Sequence, residues 1–172
     1  MRKKHVRNLT AGCAAFMAAA FVFSAGFSKT AFADEADKTT LVYGSTDYTR
    51  INPAMDEHCE INVLLFDGLT DHDGDNQIIP RLAKSWEYDE ENLTYTFHLE
   101  EGVKWHDGEP FTAEDVKFTF EAIMDPANES ENAPDYEDIE SIEVIDEHTV
   151  AFHLSNVNTA FLEYMTKPVM PK

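Results

Sequence analysis

Three carboxylates crowd one short stretch of the chain, and their chemistry could bind a metal ion. Asp71, Asp73 and Asp75 alternate within Asp71-His72-Asp73-Gly74-Asp75-Asn76, and oxygen ligands at such short spacing are typical of calcium loops. The EF-hand loop, however, has glycine at its sixth position and glutamate at its twelfth. Here the glycine is fourth and the twelfth residue is Leu82. We therefore interpret this stretch as a solvated hairpin turn.

Histidine, cysteine and serine are the other residues that could do chemistry. The chain has seven histidines, but no pair has the i, i+4 spacing of a zinc-binding helix, and no Cys-x-x-Cys occurs. His58 follows a polar loop at the start of a predicted helix, so we keep it as a candidate ligand contact. Neither a Gly-x-Ser-x-Gly motif nor a phosphate-binding glycine loop is present. The sequence thus predicts no catalytic residue, no metal site and no cofactor.

The elements that would position such residues follow from the spacing of apolar side chains. Strands are predicted at 40–43, 86–88 and 94–99, and hairpins at 69–79 and 142–154. Helical spacing is found at 55–65, and again from Thr112, which has the form of an N-cap, to Met124. A loop at 126–138 follows, and a last helix is predicted to begin near Phe161. This order of elements predicts an α+β fold built mainly from local antiparallel hairpins.

The first 33 residues resemble a secretory signal peptide. A basic head, residues 1–7, precedes a short apolar run that ends in Ala31-Phe32-Ala33. We expect cleavage after Ala33 and export to the periplasm, the alternative being an anchor that stays in the membrane. Cleavage would leave Cys59 as the one cysteine, so no internal disulfide could form.

The charge of the remaining 139 residues excludes some classes of partner. They contain 8 Lys and Arg against 33 Asp and Glu, a net charge of −25. Such a surface repels phosphate, which argues against nucleic acid and acidic lipid as partners. Because 43% of the whole chain is hydrophobic, we expect a folded globular domain rather than disorder.

A long ordered series of short motifs resembles one protein family. The series is Asn52-Pro53, Leu82-Ala83-Lys84-Ser85-Trp86, Leu93-Thr94-Tyr95-Thr96-Phe97-His98-Leu99, and Gly102-Val103-Lys104-Trp105-His106-Asp107-Gly108-Glu109-Pro110-Phe111-Thr112-Ala113-Glu114-Asp115-Val116. It is similar to the extracytoplasmic solute-binding proteins, family 5, of peptide and nickel ABC transporters, over residues 40–172. Most of these residues suit core, turn and cap positions, so the series indicates the fold more than the ligand.

The resemblance implies a periplasmic binding protein type II-like fold, in which two lobes close over a ligand. It implies a signal peptide at 1–33, the start of lobe I at 34–60, an inserted domain at 61–158 and a return to lobe I at 159–172. Family members run to several hundred residues. We therefore expect this chain to be an N-terminal fragment without the second lobe.

The resemblance also implies ligand contacts, by position alone. They lie in the loop after the first strand and in the loop after Met124, at Tyr48, Arg50, Asp56, Glu57, His58 and Tyr136. From side-chain chemistry, Tyr48 would stack on the ligand and Arg50 would bind a carboxylate. Asp56 or Glu57 would bind an amine.

The function implied is capture of a peptide in the periplasm and its delivery to an ABC transporter permease. The protein would act as a monomer and without catalysis. A nickel chelate is the alternative ligand, with His58 as the residue that could contact the metal. A peptide-sensing receptor or a chaperone on the same fold also stays open.

Overall fold

In the computed structural model of the protein, residues 51–55 and 61–172 are described. They all belong to one compact unit. The predicted strand at 40–43 and the signal peptide lie outside the described residues. Within the described ranges, no helix combines the length and the apolar character needed to cross a membrane.

The larger sheet of the described unit has four antiparallel strands and is formed by two hairpins. The first hairpin pairs β3 (Ala83–Asp89) with β4 (Thr94–Leu99), and the second pairs β5 (Ile139–Asp146) with β6 (Thr149–Leu154). β4 lies beside β6, which gives the order β3-β4-β6-β5. A separate small hairpin joins β1 (Thr70–His72) to β2 (Ile78–Pro80) and follows a short helix, α1 (Asn62–Leu65). The predicted hairpins are confirmed.

One face of the sheet carries the core, as the alternation in β4 predicts. Tyr95, Phe97 and Leu99 are buried, whereas the residues between them are half-buried on the opposite face. Phe97 meets Phe152 of β6 edge to face, with ring centroids 5.6 Å apart. A strand with one buried face shows this period of two because successive side chains point to opposite sides.

Helix α2 (Ala113–Met124) covers this core through its apolar stripe. Val116, Phe120 and Ile123 are fully buried, as expected for spacings of three and four residues. Thr112 is the N-cap, and a capping box forms with Asp115. The helix ends at Met124, with Asp125 as its C-cap, because the ring of Pro126 cannot continue it. The sequence prediction for this helix is confirmed.

The last residues pack onto the segment before β1. After α3 (Phe161–Tyr164), the amides of Leu69 and Thr70 donate to the carbonyl of Met165, at 2.9 and 3.2 Å. Phe161 and Met165 are buried in the same core as the sheet. The assignment of residues 159–172 to lobe I stays a prediction.

Gly68 is required where these two segments meet. A Cβ atom placed on it would lie 2.5 Å from the backbone oxygen of Thr166, far inside van der Waals contact. Any side chain at this position would therefore push the two segments apart.

Candidate functional site

Five of the six predicted ligand residues lie outside the described residues, namely Tyr48, Arg50, Asp56, Glu57 and His58. Their roles stay predictions. The sixth, Tyr136, is described, and its surroundings show what its side chain does in this unit.

Tyr136 fills the core rather than a surface. It ends a 3₁₀ helix, Ala133–Tyr136, and is 2% exposed. Its hydroxyl donates to the carbonyl of Tyr164 at 2.8 Å, and its ring meets Phe120 edge to face with centroids 5.2 Å apart. Burial raises the pKa of Tyr136, so the phenol stays neutral. The side chain ties its loop to α3, and a ligand contact at this residue stays a prediction.

The acidic hairpin turn is organised by hydrogen bonds within itself. Asp73 Oδ1 accepts from the amides of Asp75 and Gln77, both at 2.9 Å. The residue of this turn with positive φ is Asn76, at 59°, whereas a Cβ atom added to Gly74 would have no neighbour within 4 Å. Across 51–55 and 61–172, no three His, Cys, Asp or Glu side chains gather closely enough to hold a metal ion. The hairpin is confirmed here.

A buried carboxylate, Asp115, joins three segments of the chain. Its Oδ2 accepts from the backbone amide of Thr112 at 2.8 Å and from the indole N–H of Trp105 at 3.3 Å. Its Oδ1 accepts from the backbone amide of Lys172 at 3.0 Å. The carboxylate is thus used to hold the structure together, which explains why the tryptophan, the cap and the acid occur together in the sequence series.

The outer face of the sheet forms an open groove of about 780 Å³. Its charged rim contains Glu87, Asp89 and Glu140, and no Lys or Arg among the described residues lines it. Within it, the hydroxyl of Thr94 lies 2.9 Å from Nδ1 of His153. Such a lining suits a cation or a hydrogen-bond donor, but its acids are all solvated.

A second polar cluster lies where three segments meet, and we call Ser130, Asn132 and Lys167 the polar junction. Ser130 Oγ donates to the carbonyl of Ala54, and the backbone N–H of Asn132 donates to Ser130 Oγ at 3.3 Å. Lys167 Nζ donates to Asn132 Oδ1. Ser130 and Asn132 are 8% and 4% exposed.

Sequence reasoning missed the polar junction. The stretch 126–138 reads as a loop of prolines and acids, in which Ser130 and Asn132 look like ordinary solvated residues. The one available signal is position, since Asn132 lies in the loop after Met124 where Tyr136 is the predicted contact. Their burial depends on Ala54 and Lys167, which are 76 and 35 residues away from their partners.

Comparison with known proteins identifies relatives along most of the described chain. Residues 77–171, more than half of the chain, match the family described as Bacterial extracellular solute-binding proteins, family 5 Middle. Di/tripeptide-binding protein 1 of Pseudomonas aeruginosa is 37% identical over 122 residues, which are 60% of this chain and 23% of that protein. A putative ABC transporter peptide-binding protein of Brucella ovis is 43% identical over 93 residues, 54% of this chain and 18% of the relative.

Solved structures show the same fold. NikZ from Campylobacter jejuni, in complex with Ni(L-His), is 38% identical with a TM-score of 0.70, over 73% of this chain and 26% of that one. OppA of Haemophilus influenzae, in complex with RPPGFSPFR, is 28% identical with a TM-score of 0.64, over 70% and 28%. The chain therefore spans about a quarter of these structures. With its α+β, periplasmic binding protein type II-like fold, it belongs to the bacterial extracellular solute-binding proteins of family 5.

Proposed function

We propose that this protein captures a peptide in the periplasm and delivers it to the permease of an ABC transporter. The observation that supports a peptide most is the 37% identity to a di/tripeptide-binding protein over 122 residues. The fold is also similar to that of OppA, whose structure is in complex with the peptide RPPGFSPFR. The chain would act as a monomer and without bond chemistry.

In the proposed mechanism, two lobes close over the ligand and give the permease one defined shape to recognise. Arg50 would bind the peptide carboxylate, because a guanidinium pairs with a carboxylate through two parallel hydrogen bonds. Asp56 or Glu57 would bind the amino group, and Tyr48 would stack on a side chain.

A nickel chelate is the second candidate ligand. It is favoured by the 38% identity and TM-score of 0.70 to NikZ, whose structure contains Ni(L-His). In that case His58 would contact the metal or its organic ligand, and the described residues would form the same scaffold.

Isothermal titration of the protein in its full natural length separates the two ligands. Dipeptides and tripeptides are titrated in one arm and Ni(L-His) in the other. Heat with the peptides supports the first proposal, and heat with Ni(L-His) alone replaces it by the second. A protein that binds neither has another function, and a receptor or chaperone on this fold would then be tested with longer peptides.

The role of Arg50 has a matched control. Arg50→Ala is expected to weaken peptide binding about 10- to 100-fold, as for a lost charged hydrogen bond. Arg81→Ala removes a guanidinium that pairs with Asp67 at 2.9 Å on the surface, and binding should stay unchanged. Equal affinities of the two variants would refute the carboxylate role of Arg50.

Export is a further part of the proposal. If the signal peptide is cleaved after Ala33, N-terminal sequencing of the protein from a periplasmic extract will begin at Asp34. A protein that retains Met1 and fractionates with membranes would instead be anchored there.

A further inference from the structure

The polar junction contains a buried hydrogen-bond donor without an acceptor. Asn132 is 4% exposed, its Oδ1 accepts from Lys167, and its Nδ2 has no hydrogen-bond partner among the described residues. A buried donor left unpaired costs stability comparable to a lost hydrogen bond, so such groups are rare and call for an explanation.

The orientation of this amide is determined by its neighbours. Because Lys167 Nζ carries donors and no acceptor, the atom of Asn132 that faces it is the oxygen. The nitrogen, with two donors, therefore faces the other way. The backbone of Asn132 is held as well, since its own N–H donates to Ser130 Oγ, which is itself tied to Ala54.

The same contacts make the amide a strong donor. A cation bonded to Oδ1 draws electron density from the amide group and polarises its N–H bonds. A donor of this kind prefers an oxygen acceptor with high negative charge, which in a peptide means a main-chain carbonyl or the terminal carboxylate.

We propose that the side-chain amide of Asn132 is a binding residue for the ligand, donating through Nδ2 to a peptide carbonyl or carboxylate oxygen. This inference rests on the proposed function, since it assigns a role within peptide binding. It also explains why a polar side chain is held inside this loop although its NH₂ group has no acceptor among the described residues.

Ligand binding requires that Nδ2 of Asn132 become accessible. The Nδ2 atom is inaccessible to a water-sized sphere in the described conformation, so an acceptor reaches it only after a local shift of the loop around residues 130–133. Hydrogen exchange of these amides should therefore change when peptide is added.

The test compares two asparagines of one loop in the protein of full natural length. Asn132→Asp keeps the shape and the oxygen that Lys167 needs, but it replaces the donor by an acceptor that repels a ligand oxygen. In the control Asn128→Asp, the lost donor is bonded inside the unit, to the carbonyl of Ala122 at 2.8 Å. Titrations use a free-acid dipeptide and its C-terminal amide.

Asn132→Asp is expected to weaken binding of the free acid at least 10-fold while unfolding stability is kept, whereas Asn128→Asp should lose stability and keep affinity. Weaker binding of both peptides identifies a carbonyl as the acceptor, and weaker binding of the free acid alone identifies the carboxylate. If Asn132→Asp binds peptide with wild-type affinity, the inference is wrong and the proposed function still stands. A buried water that accepts from Nδ2 would likewise refute the inference.

A wild-type protein that binds no peptide refutes the proposed function instead. If Asn132→Asp does not fold, exchange in the wild-type protein decides. Unchanged protection at residues 130–133 on saturation with peptide contradicts the inference, and altered protection there supports it.

Discussion

Substitution of Asp115 tests whether one buried carboxylate holds three segments together. The side chain accepts four hydrogen bonds, two from the amide and hydroxyl of Thr112 and one each from Trp105 and Lys172. A hydrogen bond to a charged group contributes about 1.5–3 kcal/mol, and an N-cap interaction about 1 kcal/mol. Because neighbouring contributions are not additive, we expect Asp115→Ala to lower the free energy of unfolding by about 4 kcal/mol.

Asp115→Asn should have a smaller effect. The amide keeps one oxygen, which can take the place of Oδ2 and accept from its three donors, but its NH₂ group then faces the backbone amide of Lys172. We expect a loss of about 2 kcal/mol, from one charged hydrogen bond.

Urea denaturation followed by tryptophan fluorescence measures both effects, with Trp105 as a direct reporter. The control is Glu114→Gln, which removes an exposed ion pair with Lys172 that joins Nζ to Oε2 at 3.0 Å. Exposed pairs contribute at most about 1 kcal/mol. If Asp115→Asn is no less stable than Glu114→Gln, the carboxylate does not hold the three segments as described.

Four further substitutions, one of them a control, test three other contacts. Gly68→Ala should lower the free energy of unfolding by more than about 2 kcal/mol, because its Cβ would lie 2.5 Å from a backbone oxygen. Gly74→Ala, with nothing within 4 Å, should change stability by less than about 0.5 kcal/mol; equal denaturation midpoints would contradict the close approach. Tyr136→Phe removes one buried hydrogen bond and should cost about 1 kcal/mol with peptide affinity kept, whereas lost affinity would support the predicted contact. Hydrogen bonds from Asn92 lower the pKa of Asp89, so Asn92→Ala should raise that pKa in an NMR titration. A carboxyl whose pKa is lowered in the folded state stabilises the fold above its unfolded pKa, and this stabilisation is lost as pH falls through the folded pKa. The variant should therefore lose less stability on acidification than the wild type. An unchanged pKa of Asp89 would exclude the hydrogen bond.

Local patterns were enough to predict the framework. The alternation of Tyr95, Phe97 and Leu99 determines which face of β4 is buried, because a strand has a period of two. The stripe from Val116 to Ile123 does the same for α2, and Thr112 marks its start. Each of these signals lies within about a dozen neighbouring residues, which is why it can be read without a structure.

The hairpin turn shows where local reasoning becomes less accurate. The stretch from Asp71 to Asn76 is predicted to be a hairpin turn, and the hairpin does form there. The residue with positive φ is nevertheless Asn76, since Asp73 accepts bonds from two later amides and sets the backbone conformation. Several turn conformations satisfy the same short sequence, so the residues alone do not select one.

Contacts between distant residues decided the rest. The sequence places Tyr136 in the loop after Met124, and only the contacts with Tyr164 and Phe120 show that its side chain is buried in the core. The side-chain oxygen of Asn132 accepts a hydrogen bond from Lys167, 35 residues later, and this contact determines which way its NH₂ group faces. Whether a polar group in a loop meets water or protein depends on what packs against that loop, and this is a property of the assembled fold. Short-range periodicity therefore predicts helices and strands, and only long-range packing determines which loop side chains are available for a ligand.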